Sequence, residues 1–284
     1  MRAFTTLIDV DDLAASLGHE DLALFDCRFE LGKPEWGAAE YVQSHIPGAQ
    51  YLHLDRDLSS PISRHSGRHP LPDPHAFARR IGELGAGPET QIVAYDQGNG
   101  AHAARLWWLA RWIGARRVAV LDGGMTSWRA ADLPLATTPA QLRPRIMPVT
   151  LAREAAVDSA GVDKLRRRPG TLLVDARGAE RFAGRNETID PVAGHVPGAR
   201  NHPFTGNLAS DGRFLSAVAL RRRWEVLLGS QPASAVIAMC GSGVTACHNL
   251  LALEHAGFGG ARLYPGSWSE WIRDPARPAA TGTY

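Results

Sequence analysis

The sequence predicts an α/β protein built as two tandem units, each a mainly parallel sheet flanked by helices. Three observations predict it. Short apolar runs alternate with helix-like periodic stretches along the chain. The second half repeats the first in the same order. The best-defined strand ends at a cysteine, and a glycine-bearing loop curls from there into a helix. With 284 residues and 44% hydrophobic content, the chain can fill one large or two ordinary cores.

In chain order, residues 22–27 (LALFDC) read as a first strand with Arg28 just behind. An aromatic and acidic segment leads to Tyr41 and then to Ser44-His45-Ile46-Pro47-Gly48-Ala49. Residues 91–95 (QIVAY) make an apolar strand that ends at Asp96, followed by Gln97-Gly98-Asn99-Gly100. A helical stretch around Trp107 and Trp108 ends near Gly114. Residues 118–121 are the next strand, and Asp122-Gly123-Gly124 turns the chain before Trp128.

The second half replays this series. Asp175 and Arg177 answer Asp26 and Arg28, and Gly194-His195-Val196-Pro197-Gly198-Ala199 answers the His45 motif. Cys240 answers Asp96, and the turn at Gly266 before Trp271 answers that at Gly124 before Trp128. Matched positions are 150 residues apart at His45 and His195, 149 at Asp26 and Asp175, and 144 at Asp96 and Cys240. Such a period marks a duplicated domain, not a solenoid. The expected boundaries are 1–137 for the first domain and 153–284 for the second, with 138–152 as linker. Three prolines in 136–149 support that linker, and the tail from Asp274 reads as an extended strap or loosely ordered segment.

Residues 235–239 form the strand that delivers Cys240 to Gly241-Ser242-Gly243-Val244-Thr245, and apolar residues at helical spacing continue to Gly257. Two glycines let the loop turn sharply with its N–H groups inward, which makes a cup for an anion. The helix adds its positive end. A sulfur in such a cup is stabilised as thiolate. Two rival chemistries fail on spacing. A cysteine phosphatase needs an arginine six residues after the cysteine, where this chain has Ala246. Zinc needs paired ligands at short separations, and Cys240 and Cys247 stand seven apart. His248 reads as a packing or helix-surface residue.

The loop CGSGVT resembles the active-site loop of the rhodanese-type sulfurtransferases, more closely the 3-mercaptopyruvate form than the basic CRKGVT form linked with thiosulfate. The resemblance runs through most of the chain and implies two rhodanese-like domains, the first without its thiol. Asp96 stands in that place and cannot carry sulfur. The resemblance implies transfer of a sulfane sulfur through a Cys240 persulfide, held by amides of Gly241, Ser242, Gly243, Val244 and Thr245. The acceptor would be a small thiol, a thioredoxin-like protein or cyanide, and neither a metal nor an organic cofactor is required.

Arg177, Arg181 and Arg185 recur at four-residue spacing, which suits either a solvated helix face or an anion clamp. The resemblance matches Arg181, before Phe182, to one of two arginines that hold the substrate carboxylate. The usual second one is missing from NETIDPVAGH, and Arg185 is the candidate substitute. Ser242 is either a small loop-former or part of a proton relay. The resemblance implies a histidine partner, matched by His45, and an acid, for which Glu35 and Glu40 are candidates. Yet His195 fills the same motif in the other half, so His45 also reads as architectural. Asp26, Arg28, Asp175 and Arg177 recur in both halves and read as structural pairs.

A formal charge of +2 gives no argument for nucleic acid or a membrane surface. No apolar run reaches the length of a membrane span, and the N-terminus turns acidic too early for a signal peptide. Three cysteines suit a reducing compartment better than a disulfide framework, so the cytoplasm and a monomer are the expectation. The alternatives are a thiosulfate-preferring enzyme, a sulfur-relay module with little small-molecule turnover, and a redox sensor using Cys240 with Cys247.

Overall fold

The first unit opens with β1 (Leu7–Ile8), α1 (Val10–Ser16), β2 (Leu22–Asp26), α2 (Trp36–Gln43) and β3 (Gln50–Tyr51). It continues with α3 (Pro74–Glu83), β4 (Gln91–Tyr95), α4 (Ala103–Trp112), β5 (Val118–Leu121) and α5 (Gly124–Ala130). The second unit holds α6 (Ser159–Leu165), β6 (Leu172–Asp175), α7 (Ala179–Phe182), β7 (Arg200–Asn201) and α8 (Ala217–Leu228). Then follow β8 (Val236–Met239), α9 (Thr245–His255), β9 (Arg262–Leu263) and α10 (Ser267–Trp271). These elements come from a computed structural model that describes residues 2–141 and 143–283. Leu142 of the expected linker and Tyr284 of the expected tail lie outside the described residues.

Every strand pairing is parallel: the first sheet runs β1-β5-β4-β2-β3 and the second β7-β6-β8-β9. Interior strands β4 and β8 are buried along their whole length, as strands covered on both faces must be. That is why they read as unbroken apolar runs. Helix α3 is started by Asp73, whose carboxylate accepts the amides of His75 and Ala76, with Pro74 in the first turn.

The compact units differ from the contiguous halves expected from the sequence in two segments. Residues 61–70 belong to the second unit and 210–214 to the first. The segment expected as a linker is laid along the first unit. Ala136 pairs with His45, Arg145 N donates to Gly82 O (2.8 Å), and Thr150 N donates to Ile113 O (2.8 Å). The tail does the same in the second unit, where Ala280 pairs with His195 and Trp271 Nε1 donates to Pro278 O (2.8 Å).

Two devices recur in both units. Arg28 grips Asp26 through Nε (2.9 Å) and Nη2 (2.6 Å) and also donates to Ser44 O (2.7 Å). Arg177 treats Asp175 alike and donates to Gly194 O (2.8 Å). Both pairs are fully buried and tie a strand end to the loop carrying the histidine motif. His45 stacks on Tyr41 at 4.0 Å with Nδ1 against Tyr41 O, and His195 stacks on Phe182 at 3.8 Å with Nδ1 against Phe182 O. His45 Nε2 faces Thr138 O at 3.3 Å. Both His45 ring nitrogens therefore meet backbone carbonyls of the first unit, and the residue is architectural; the catalytic alternative for it is corrected.

Among the described residues no helix is long and apolar enough to cross a membrane. Deleting one member of a buried pair strands the other charge, at a cost of about 3–5 kcal/mol. Asp26→Ala should therefore lower the urea midpoint of the first unit by that equivalent. A loss under about 1 kcal/mol, the range of exposed pairs, would mean that Arg28 is rehydrated on losing its partner.

Candidate active site

Cys240 follows β8 directly and is buried. Its Sγ accepts the amide of Gly243 at 3.1 Å. Gly243 has φ +78°, and a Cβ there would lie 2.2 Å from Pro265 O, so only glycine makes this turn. Thr245 begins α9, whose N-terminal end points its partial positive charge at the loop. The loop is also braced from behind. Ser267 Oγ accepts the amide of Cys240 (3.0 Å) and donates to Tyr264 O (2.9 Å), while Trp268 N and Ser269 N donate to the carbonyls of Cys240 and Gly241. Ser267 stands at φ +53°, an unfavourable conformation for a residue with a Cβ. The matching residue of the first unit, Gly124, has the same φ.

The first unit shows what such a loop holds. Asp96 Oδ1 accepts the amides of Gly98 and Gly100 (both 3.0 Å), and Oδ2 those of His102 (2.9 Å) and Ala103 (3.2 Å). Its cup is filled by a carboxylate of the same chain. Nearby Cys27 is buried. Desolvation, with the charges of Asp26, Asp96 and Asp57, pushes its thiol far above the ordinary range.

Around Cys240 the second unit gathers four polar side chains. His69 Nδ1 lies 2.7 Å from Ser242 Oγ, and both residues are buried. Arg68 is anchored through its amide to Ser269 Oγ (3.0 Å), and its guanidinium pairs with Asp190. Arg181 grips Glu187 (Nη2 to Oε1, 2.9 Å) and reaches Asp190 Oδ2 (3.1 Å). Both guanidinium ends converge on Gly241: a Cβ there would lie 2.8 Å from Arg68 Nη2 and 3.7 Å from Arg181 Nη1. Burial raises the Glu187 carboxyl, but hydrogen bonds from Arg181 and the amides of Asp190 and Ile189 outweigh it and hold it below its ordinary value. For Asp190, burial wins over Arg68 and Arg181, and the carboxyl sits above its ordinary value.

Several sequence expectations fall elsewhere. Arg185 is more than half exposed and pairs with Glu180, so it is corrected to a surface residue: α7 ends at Phe182, before Arg185, while the Arg181 guanidinium reaches Gly241. Glu35 pairs with Arg56, and Glu40 lies 3.7 Å from Arg28; both are in the first unit. His248 is buried against Phe204, and Cys247 Sγ points at Gly243 O (3.3 Å). Among the described residues, no cluster of His, Cys, Asp or Glu is placed to hold a metal. Arg68 and His69 were missed. A signal existed, because the offset between halves falls from 150 to 144 between the histidine motif and the loop. The first half therefore carries extra residues in that interval, and Arg68 and His69 lie within it.

A tandem of parallel α/β units, one presenting a cysteine in an amide-lined cup at the carboxyl end of an interior strand, defines a class of thiol-loop proteins. The rhodanese-like domain family matches residues 9–131 and 159–274, and the chain belongs to that family. It is 49% identical to a Pseudomonas aeruginosa protein named "Probable 3-mercaptopyruvate sulfurtransferase", over 97% of this chain and 98% of that one. It is 36% identical to the thiosulfate sulfurtransferase of Cricetulus griseus, over 82% and 79% of the two chains. Among solved structures, 3-mercaptopyruvate sulfurtransferase from Leishmania major superposes with a TM-score of 0.84 at 31% identity, covering 95% of this chain and 76% of that one.

Iodoacetamide followed by peptide mapping should modify Cys240 before Cys27, since burial and the charges of Asp26, Asp96 and Asp57 push the Cys27 thiol well above its ordinary range. Faster labelling of Cys27 would contradict that electrostatic assignment.

Proposed function

We propose that this protein is a sulfurtransferase in which Cys240 carries the transferred sulfur. The single observation that supports it most is the Cys240 sulfur inside the loop, one residue from the point where Arg68 and Arg181 converge. The names of the relatives point the same way. The Cys240 thiolate attacks the sulfur of 3-mercaptopyruvate, the carbon–sulfur bond breaks, and its electrons pass to pyruvate enolate. A proton then reaches the methylene carbon through Ser242 and His69, which are hydrogen-bonded at 2.7 Å. The donor's own thiol proton balances the step. Cys240 is left as a persulfide, cradled by amides between Gly241 and Thr245. A small thiol, a thioredoxin-like protein or cyanide removes the sulfur and restores the thiolate.

Arg181 binds the donor's carboxylate, a role suited to a guanidinium. The neutral Gly241-Ser242 pair favours 3-mercaptopyruvate over doubly charged thiosulfate. A thiosulfate-preferring enzyme is the second reading, supported by the thiosulfate sulfurtransferase relative. The tandem domains are built on residues 1–137 and 153–284, with 61–70 belonging to the second unit and 210–214 to the first, and the first is without transfer activity because Asp96 replaces the thiol. The protein works as a monomer in the cytoplasm, where its three free, buried cysteines stay reduced.

Steady-state turnover with each donor, cyanide as acceptor, should show a preference for 3-mercaptopyruvate that Cys240→Ser abolishes. Full turnover by the serine variant would sink the persulfide route, and preference for thiosulfate would support the second reading.

His69→Asn separates the donors. Sulfite leaves thiosulfate without needing a proton on carbon, whereas the enolate does need one. The variant should lose roughly 10²-fold or more in kcat with 3-mercaptopyruvate and far less with thiosulfate. Equal losses would remove His69 from the relay.

A further inference from the structure

The arginines beside Cys240 belong to an unbroken chain of alternating charges. Arg68 pairs with Asp190, Asp190 with Arg181, Arg181 with Glu187, Glu187 with Arg177, and Arg177 with Asp175. Three cations meet three anions, so the cluster is neutral before any donor arrives. Its carboxylates are buried, with side-chain exposures of 2% for Asp190 and 1% for Glu187, whereas Arg68 and Arg181 keep 22% and 23%. The three heavy atoms nearest to where a Gly241 Cβ would stand are all guanidinium nitrogens of Arg68 and Arg181. Arg68 Nε is buried without a partner among the described residues. Its Nη2 is the atom nearest to where a Gly241 Cβ would stand.

We propose that Arg68 is the second donor-binding arginine, and that Asp190 sets the donor preference by cancelling one unit of positive charge in the clamp. This rests on the sulfurtransferase reading above and deepens it. A neutral clamp offers directional N–H groups to a carboxylate without the net positive field that a doubly charged donor gains most from. A single-anion donor such as 3-mercaptopyruvate is served by the hydrogen bonds. Thiosulfate, with two charges, loses more from the nearby Asp190 carboxylate. Segment 61–70, which carries Arg68, thus supplies the cation that the region after Arg181 lacks, where the chain places Asp190.

The two changes pull specificity in opposite directions. Asp190→Asn keeps size and hydrogen bonding while leaving the clamp with net charge +1. The ratio of kcat/KM for thiosulfate to that for 3-mercaptopyruvate should rise by about tenfold or more. Arg68→Gln leaves it at −1, so KM should rise for both donors and the ratio should fall. Arg68→Lys should hold the ratio near wild type while still weakening binding, because lysine keeps the charge and loses the fork. Single-turnover sulfur loading of Cys240, read by intact mass, gives each donor separately. A ratio unmoved or moved the other way in Asp190→Asn or Arg68→Gln overturns the proposal, since a merely structural role would lower both donors together. Should Asp190→Asn fail to fold, the half-buried Arg68 variants carry the test alone. Wild type that loads sulfur from neither donor would instead overturn the sulfurtransferase reading itself.

Discussion

A tight loop that turns backbone amides inward must give them an acceptor, because unpaired buried N–H groups are costly. The surroundings of both loops follow from that constraint. In the first unit the Asp96 carboxylate fills the cup through four amides. In the second, the Cys240 sulfur takes the Gly243 amide. The carbonyls on the outer side need donors too, and residues just inside α5 and α10 supply them in the two units. Ser267 exposes the cost. It holds the left-handed φ that Gly124 adopts freely, and in return its hydroxyl accepts the Cys240 amide. A conformational penalty of order 1–3 kcal/mol is sustained where it fixes the Cys240 backbone.

Much of this was legible in the chain because its cause is local. The strands at 91–95 and 118–121 were read at the bounds the structure gives them, since buried parallel strands are apolar without interruption. The duplication, the Cys240 loop and the structural Asp–Arg pairs carry their own short-range signatures. What failed depended on distant chain. His45 sits in a motif whose repeat already hinted at architecture, and the histidine beside Ser242 proved to be His69, 173 residues away. Arg185 shares a spacing with Arg181, yet α7 ends at Phe182, so the helical spacing does not hold as far as Arg185. Arg68, which converges with Arg181 on Gly241, comes from a loop segment with no periodicity to read. Likewise the prolines of 136–149 point to a linker, while the amides of Arg145, Thr150 and Ala152 are paired with the first unit.

The chain of alternating charges joins the structural and chemical layers. Asp175 and Arg177 repeat the fold-level pair of the first unit, but Arg177 also reaches Glu187. From there the series runs to Arg181, Asp190 and Arg68, so the clamp is oriented by the same buried pair that anchors the strand end. In a low-dielectric setting isolated arginines would be expensive. Alternation lets them stand beside Cys240 with each charge compensated.

The same logic explains how one unit could lose its thiol and keep its fold. Replacing a cysteine by an apolar residue would empty the cup and leave inward amides unpaired. Aspartate places two oxygens one bond beyond Cγ, about where an outer sulfur would extend beyond Sγ, and each oxygen satisfies two amides. The stability requirement is met by any well-placed anion, whereas transfer requires a nucleophilic one. Asp96 fulfils the first condition and fails the second. Asp96 thus meets the hydrogen-bonding demand of its loop through four amides, whereas Cys240 takes the Gly243 amide and sets a sulfur in the equivalent place.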